Sequence, residues 1–294
     1  MKARTKIWVG VGAFVFAGSA AVGPAGADRL EAADMPRAAS DADLWNGARG
    51  SAAHIVVPQH HDASQPSAGE GGEGGEAGVA NLPPDLGFAV EIGQLRGHLL
   101  VGDELVKQGQ WAAALPHFLH PTEEIYGQIR DKLKDYDTPP FEDALNALAK
   151  LVKARKGGEP YAQAFKAVED VLQKTDAGLR NRQPDWDGFL VEAAVELIKS
   201  SAGEYGEAIV DGRIAKPVEY QDARGFVWEG EKMIEAVAPA LERKDAEALR
   251  QVRAALAEVK KAFPQPMPQK KPVKDQAAFL SDISRLELAA GKLM

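Results

Sequence analysis

The chain has 294 residues, 45% of them apolar and 27% charged, which suffices to bury a core in one or two domains. Its formal charge of −8 argues against nucleic acid as a partner, because that affinity comes from clustered Lys and Arg. The absence of cysteine excludes disulfides, thiolate metal sites, iron–sulfur clusters and cysteine nucleophiles, so any metal has to be held by His, Asp, Glu, Met or Tyr.

Residues 1–27 read as a secretory signal peptide. Lys2, Arg4 and Lys6 form its basic start, Ile7 to Gly23 its apolar and small-residue stretch, and Ala25-Gly26-Ala27 a cleavage signal before Asp28. This predicts a periplasmic protein whose mature chain has no transmembrane segment, since no later stretch is apolar enough to span a bilayer. Residues 28–84 read as a disordered linker rich in Gly, Ala and Pro, with Gly69 to Gly78 as its most flexible part. The linker also carries His54, His60 and His61, either as chance residues of a tail or as a mobile metal-gathering arm.

From Asp85 onward the apolar spacing is helical, with little strict alternation. A first helix is predicted over about 86–108, with His98 bordering its apolar stripe. Residues 110–118 form a short connector or helix, and a second long helix starts at Pro121, a residue favoured at the first helical position. Two more helices cover about 141–156 and 160–179. The pattern then restarts at 186–210, 217–242, 245–263 and 274–292. Short matches recur in the same order in the two halves, among them Glu104-Leu105-Val106-Lys107 with Glu196-Leu197-Ile198-Lys199, and His120-Pro121 with Lys216-Pro217. The expected fold is all-α, with two four-helix-bundle units over 85–182 and 183–294 related by a diverged internal repeat. An array of tetratricopeptide-like repeats is the rival reading.

Candidate ligands concentrate in the stretch from His117 to Tyr126. On a helix, residues three or four apart share a face, so His120 stands beside both Glu123 and Glu124, and His117 lies one turn earlier if the backbone stays helical through Pro121. With His98 facing them from the first helix, the metal ligands are taken to be His98, His117, His120, Glu123 and Glu124. Against this, acids favour the first turn of a helix, and a core histidine can be purely structural. In the second half Glu219, Tyr220, Asp222 and Arg224 occupy the corresponding turn. They are read as an internal Asp–Arg network, with a hard-cation site as the alternative, and Trp228 and Tyr205 are assigned to packing. No nucleophile elbow, His-Glu-x-x-His or phosphate-binding glycine loop is present, so catalysis has little support, and an enzyme such as a metal-dependent oxidase or hydrolase stands as the third reading behind a metal-binding protein and a scaffold.

The export signal, the paired bundles and His120-Pro121-Thr122-Glu123 together resemble the imelysin-like family of periplasmic helical-bundle proteins. That family's motif is Gly-x-His-x-x-Glu; His120 and Glu123 match its His and Glu, and Phe118 stands where the Gly is. The resemblance implies a metal-associated, non-proteolytic role in iron uptake. The expectation is therefore a periplasmic protein that binds a transition metal, iron first and zinc or copper next, in uptake or homeostasis. The competing expectation is a metal-free helical scaffold that binds another cell-envelope protein.

Overall fold

The computed structural model describes residues 79–294. The expected signal peptide, most of the expected linker, and His54, His60 and His61 lie outside them. The described residues are all-α apart from one small hairpin.

Helix α1, Pro84–Lys107, runs through the middle of the fold. Leu86, Phe88, Val90, Ile92, Leu95, Leu99, Val101 and Leu105 are all buried, so the helix is covered on nearly every side by its neighbours. Its start is prepared by Pro84, whose missing N–H is one of the unpaired donors at a helix N-terminus anyway, and by Asp85 near the positive end of the helix dipole. The Asp85 carboxylate accepts hydrogen bonds from Tyr136 Oη (2.8 Å), Gln183 Nε2 (2.8 Å) and Arg182 Nε (3.1 Å). Burial opposes its charge, but these donors and the Arg182 guanidinium hold its pKa below the usual carboxylate value. A depressed folded pKa gives stability that is present above the unfolded value of about 3.9 and lost as the pH falls through the folded one. We therefore expect Asp85→Asn to lower the urea midpoint more at pH 7 than near pH 3. An equal deficit at both pH values would show that charge is not the cause.

Helix α2, Trp111–His120, does not stop at Pro121. Pro121 has no N–H to give, and the chain widens into a π-turn over Pro121–Ile125 in which the amide of Tyr126 reaches back five residues to the Pro121 carbonyl. It then continues as α3, Tyr126–Ile129. The expected helix start at Pro121 is thus a change of pitch within a longer helical segment. This keeps His117, His120 and Glu124 on neighbouring turns. A 3-10 turn, Leu133–Tyr136, and a left-handed Asp137 (φ 51°) close the segment. Helices α4, Glu142–Lys153, and α5, Glu159–Arg180, come next, separated by Arg155 and Gly158 at positive φ.

In the second half, α6, Trp186–Ala208, is capped by Asp185, whose carboxylate accepts from Gly188 N at 3.1 Å. It ends two residues short of the expected Val210, because Ile209–Val210 (β1) pairs antiparallel with Arg213–Ile214 (β2). Asp211 and Gly212 both take positive φ between them, the mirror-image turn that Asp-Gly favours. Helix α7, Pro217–Lys260, is broken at Asp245, whose backbone is extended and whose carboxylate caps the next segment by accepting from Ala248 N at 2.9 Å. The sequence places the same break between two helices. Helix α8, Gln276–Ala290, starts behind an Asp275 cap.

The helices α6, the two segments of α7, and α8 pack on one another, and α1 lies against both α6 and α7. Buried side chains of both halves form one continuous core. The crossing of α1 with α7 is backbone to backbone. A Cβ at Gly225 would stand 2.3 Å from the carbonyl oxygen of Gly97, and one at Gly97 would stand 2.6 Å from the Phe226 ring. Only glycine allows this approach. It sets His98, next to Gly97, against Asp222, one turn before Gly225.

Candidate metal centre

At that crossing, three histidines converge on one aspartate. His98 comes from α1, His117 and His120 from α2, and Asp222 from the start of α7. The Nδ1 atoms of His98 and His117 lie 2.6 and 2.8 Å from Asp222 Oδ1. His120 Nδ1 lies 3.4 Å from Asp222 Oδ2 and 3.7 Å from Glu124 Oε2. The second nitrogen of His117 faces Gln221 Oε1 at 2.9 Å, and Gln221 Nε2 donates to the Pro266 carbonyl. His117, His98 and Asp222 are buried, whereas the His120 and Glu124 side chains are 17% and 26% exposed. The cluster therefore has a closed floor and an edge open to solvent.

The electrostatics arise from this geometry. Burial would raise the Asp222 carboxyl, but the charges of His98 and His117, with hydrogen bonds from His117 and His120, hold it well below the usual range. Burial drives His98 below its ordinary value, and neighbouring His120 and His117 add to the effect against the pull of Asp222. Burial also disfavours a charge on His120, yet its hydrogen bond to Asp222 and the charges of Asp222, Glu124 and Glu219 outweigh this and push it up to about 9. Two further acids stand behind Asp222: Glu219, one turn earlier on α7, and Glu204 of α6. Burial, then the charges of Asp222, Glu219, Glu207 and Glu124, pushes Glu204 up to about 9. Burial and Asp222 raise Glu219 as well.

The donor set fits a transition ion. Ligand atoms about 2.0–2.2 Å from one ion stand about 3 Å from each other at right angles. The nitrogen–oxygen separations here run from 2.6 to 3.7 Å. In His98, His117 and Asp222, and again in His98, His120 and Glu124, the ligand atoms all lie within 4.8 Å of one another. Imidazole and carboxylate suit Fe, Mn, Zn and Cu(II), and the ion would displace the protons that now bridge the imidazoles and the carboxylate.

The structure thus brings together four of the five residues expected as ligands, His98, His117, His120 and Glu124. It places the fifth, Glu123, on the exposed side of the π-turn, outside every cluster of ligand atoms among the described residues. The expected Asp222–Arg224 network is not formed. Arg224 instead makes a two-pronged bond to Glu104 (2.8 and 3.0 Å), donates to the Phe263 carbonyl (2.8 Å) and stacks 3.9 Å over Trp228. This frees Asp222 for the histidines. Glu204 was readable in principle, since it falls on the buried stripe of α6 with Ala194, Leu197, Ser201 and Ala208, where an acid is out of place.

A helical bundle with imidazoles and carboxylates pointing inward from facing helices has the form in which bundles hold metal ions. Residues 187–294 match the family model of an iron permease-associated 4-helix bundle domain. That span holds α6, both segments of α7 and α8, and supplies Asp222, Glu219 and Glu204. No curated protein and no solved structure matches the chain. The match corrects the imelysin-like assignment, because it rests on the half without the His-x-x-Glu motif. In the other half, Phe118, at the motif's Gly position, is buried with its ring packed over Gly102.

Proposed function

We propose that this is an exported, periplasmic protein that binds iron at His98, His117, His120, Asp222 and Glu124 and serves iron uptake or homeostasis beside a permease. The observation that carries this reading is the convergence of three imidazoles on one buried aspartate, with an edge open to solvent at His120 and Glu124. The similarity of residues 187–294 to an iron permease-associated domain supports iron over the other ions that such ligands accept. Among the described residues no helix is long and apolar enough to cross a membrane. Export rests on residues 1–27 and is checked by the N-terminus of the mature protein, expected at Asp28.

Elemental analysis of protein purified without an affinity tag tests the site, beside a His98→Ala/His117→Ala/His120→Ala variant. The expected result is near-stoichiometric iron in the wild type and none in the variant. A competing reading, a metal-free scaffold for an envelope protein, draws on the fact that Asp222 and His117 already have hydrogen-bond partners without an ion. Wild-type protein that stays empty after refilling with Fe, Mn, Zn and Cu would decide for the scaffold.

A further inference from the structure

We propose that the centre holds two cations, the second in a subsite made only of carboxylates, from Glu204, Glu219 and Asp222, with Asp222 bridging the pair. The proposal rests on the reading of the histidine cluster as a metal site and extends it.

Three observations carry it. First, ligand atoms of Glu204, Glu219 and Asp222 lie within 4.8 Å of one another, and Asp222 belongs equally to the histidine group. Second, Glu204 and Glu219 are only 6% and 7% exposed, and no described N–H or O–H donates to either carboxylate. Their oxygens keep a narrow contact with solvent, but three acids gathered at so little exposure repel one another, and such groups are normally paired or bound to a cation. Third, the base on the adjoining segment makes no hydrogen bond to the cluster: Lys216 Nζ bonds Glu207 Oε2 at 3.2 Å and acts on Glu219 only through its charge. Asp222 has two oxygens: Oδ1 faces both His98 and His117, and Oδ2, 3.4 Å from His120 Nδ1, has a second lone pair to offer toward Glu204 and Glu219. A carboxylate in that position can span two ions about 3.5–4 Å apart.

The two subsites would differ in taste. Imidazoles around the first suit a borderline ion such as Fe(II), and the second offers oxygen alone, which suits a hard cation such as Fe(III) or Mn(II). The arrangement places the softer position toward the open edge at His120 and Glu124 and the harder one behind Asp222.

Anaerobic titration with Fe(II), then desalting and iron analysis, tests the proposal. It compares the wild type, a Glu204→Gln/Glu219→Gln variant and the triple histidine-to-alanine variant. The expected result is two equivalents in the wild type and one in the Gln variant, with the histidine variant losing at least the first. One equivalent in both the wild type and the Gln variant would overturn the second subsite and leave the histidine site standing. None in the wild type would overturn both. Loss of all iron from a folded Gln variant, by circular dichroism, would make the acids part of a single site and also overturn the proposal. Electron paramagnetic resonance of wild-type protein loaded with Mn(II) gives a second readout without a variant. A spin-coupled pair supports two adjacent ions, and isolated six-line spectra at saturation count against them.

Discussion

Asp222→Asn is expected to abolish stoichiometric iron binding, with affinity falling at least about 1,000-fold, beyond the roughly 10–100-fold loss that removal of a mere orienting partner brings. Asp222 is the residue that all three histidines share, and the amide puts an NH2 group where one oxygen faces an imidazole. The same change should destabilise the metal-free protein. Asp222 is a buried anion whose partners are buried imidazoles, and removing one member of such a pair costs about 3–5 kcal/mol. For a folded body of this size that corresponds to a fall in Tm of about 10 °C. Isothermal titration with Fe(II) and thermal melts of the same preparation separate the two effects. Iron binding retained at wild-type affinity would remove the cluster from consideration as the site. Lost binding with an unchanged Tm would show that Asp222 acts as a ligand and contributes nothing to the packing of α1 on α7.

Gly225→Ala is expected to lower stability by about 3 kcal/mol and to weaken iron binding together with it. The added Cβ would stand 2.3 Å from the Gly97 carbonyl oxygen and 3.3 Å from Val101 Cγ1, so the two helices must separate by about an ångström. Overpacking of this kind costs about 1–3 kcal/mol when side chains can yield, and the obstacle here is backbone. Separation of the helices pulls His98 from Asp222, because each sits within a turn of the crossing. Gly127→Ala is the control. Gly127 lies in α3 with nothing within 4 Å of its added Cβ, and a helical Gly-to-Ala change there should add about 0.5–1 kcal/mol. Equal melting of Gly225→Ala and the wild type would mean that the two backbones cross with room to spare.

The helices were largely legible because each carries local signals. Apolar residues at three- and four-residue spacing, prolines at helix starts, and Asp185 and Asp275 as caps mark elements that form from neighbours along the chain. The break inside α7 was legible for the same reason, since Asp245 interrupts the spacing and caps the second segment of that helix. The misreadings were local conflicts with two outcomes. Pro121 marks a helix start in most contexts, yet the packing of α2 against α1 and α4 carries the helical path through it as a π-turn. Asp211-Gly212 was a hairpin signal that the preceding helical periodicity overrode.

The site divides along the same line. The grouping of His117, His120 and Glu124 comes from helical spacing within one segment, and the place of His98 on an inward stripe comes from α1 alone. Glu123 shares that spacing with His120, and only the altered pitch of the π-turn puts it outside. Asp222 belongs to the tertiary structure entirely. It lies 105 positions from His117 and 124 from His98, and no local rule decides between Arg224 and the histidines as its partner. The Gly97–Gly225 crossing makes that choice, since backbone contact between α1 and α7 brings Asp222 under the imidazoles and leaves Arg224 facing Glu104. By itself the sequence determined an all-α protein with a histidine-rich helical turn. Long-range packing decided which acids complete it, because charges pair by distance in space.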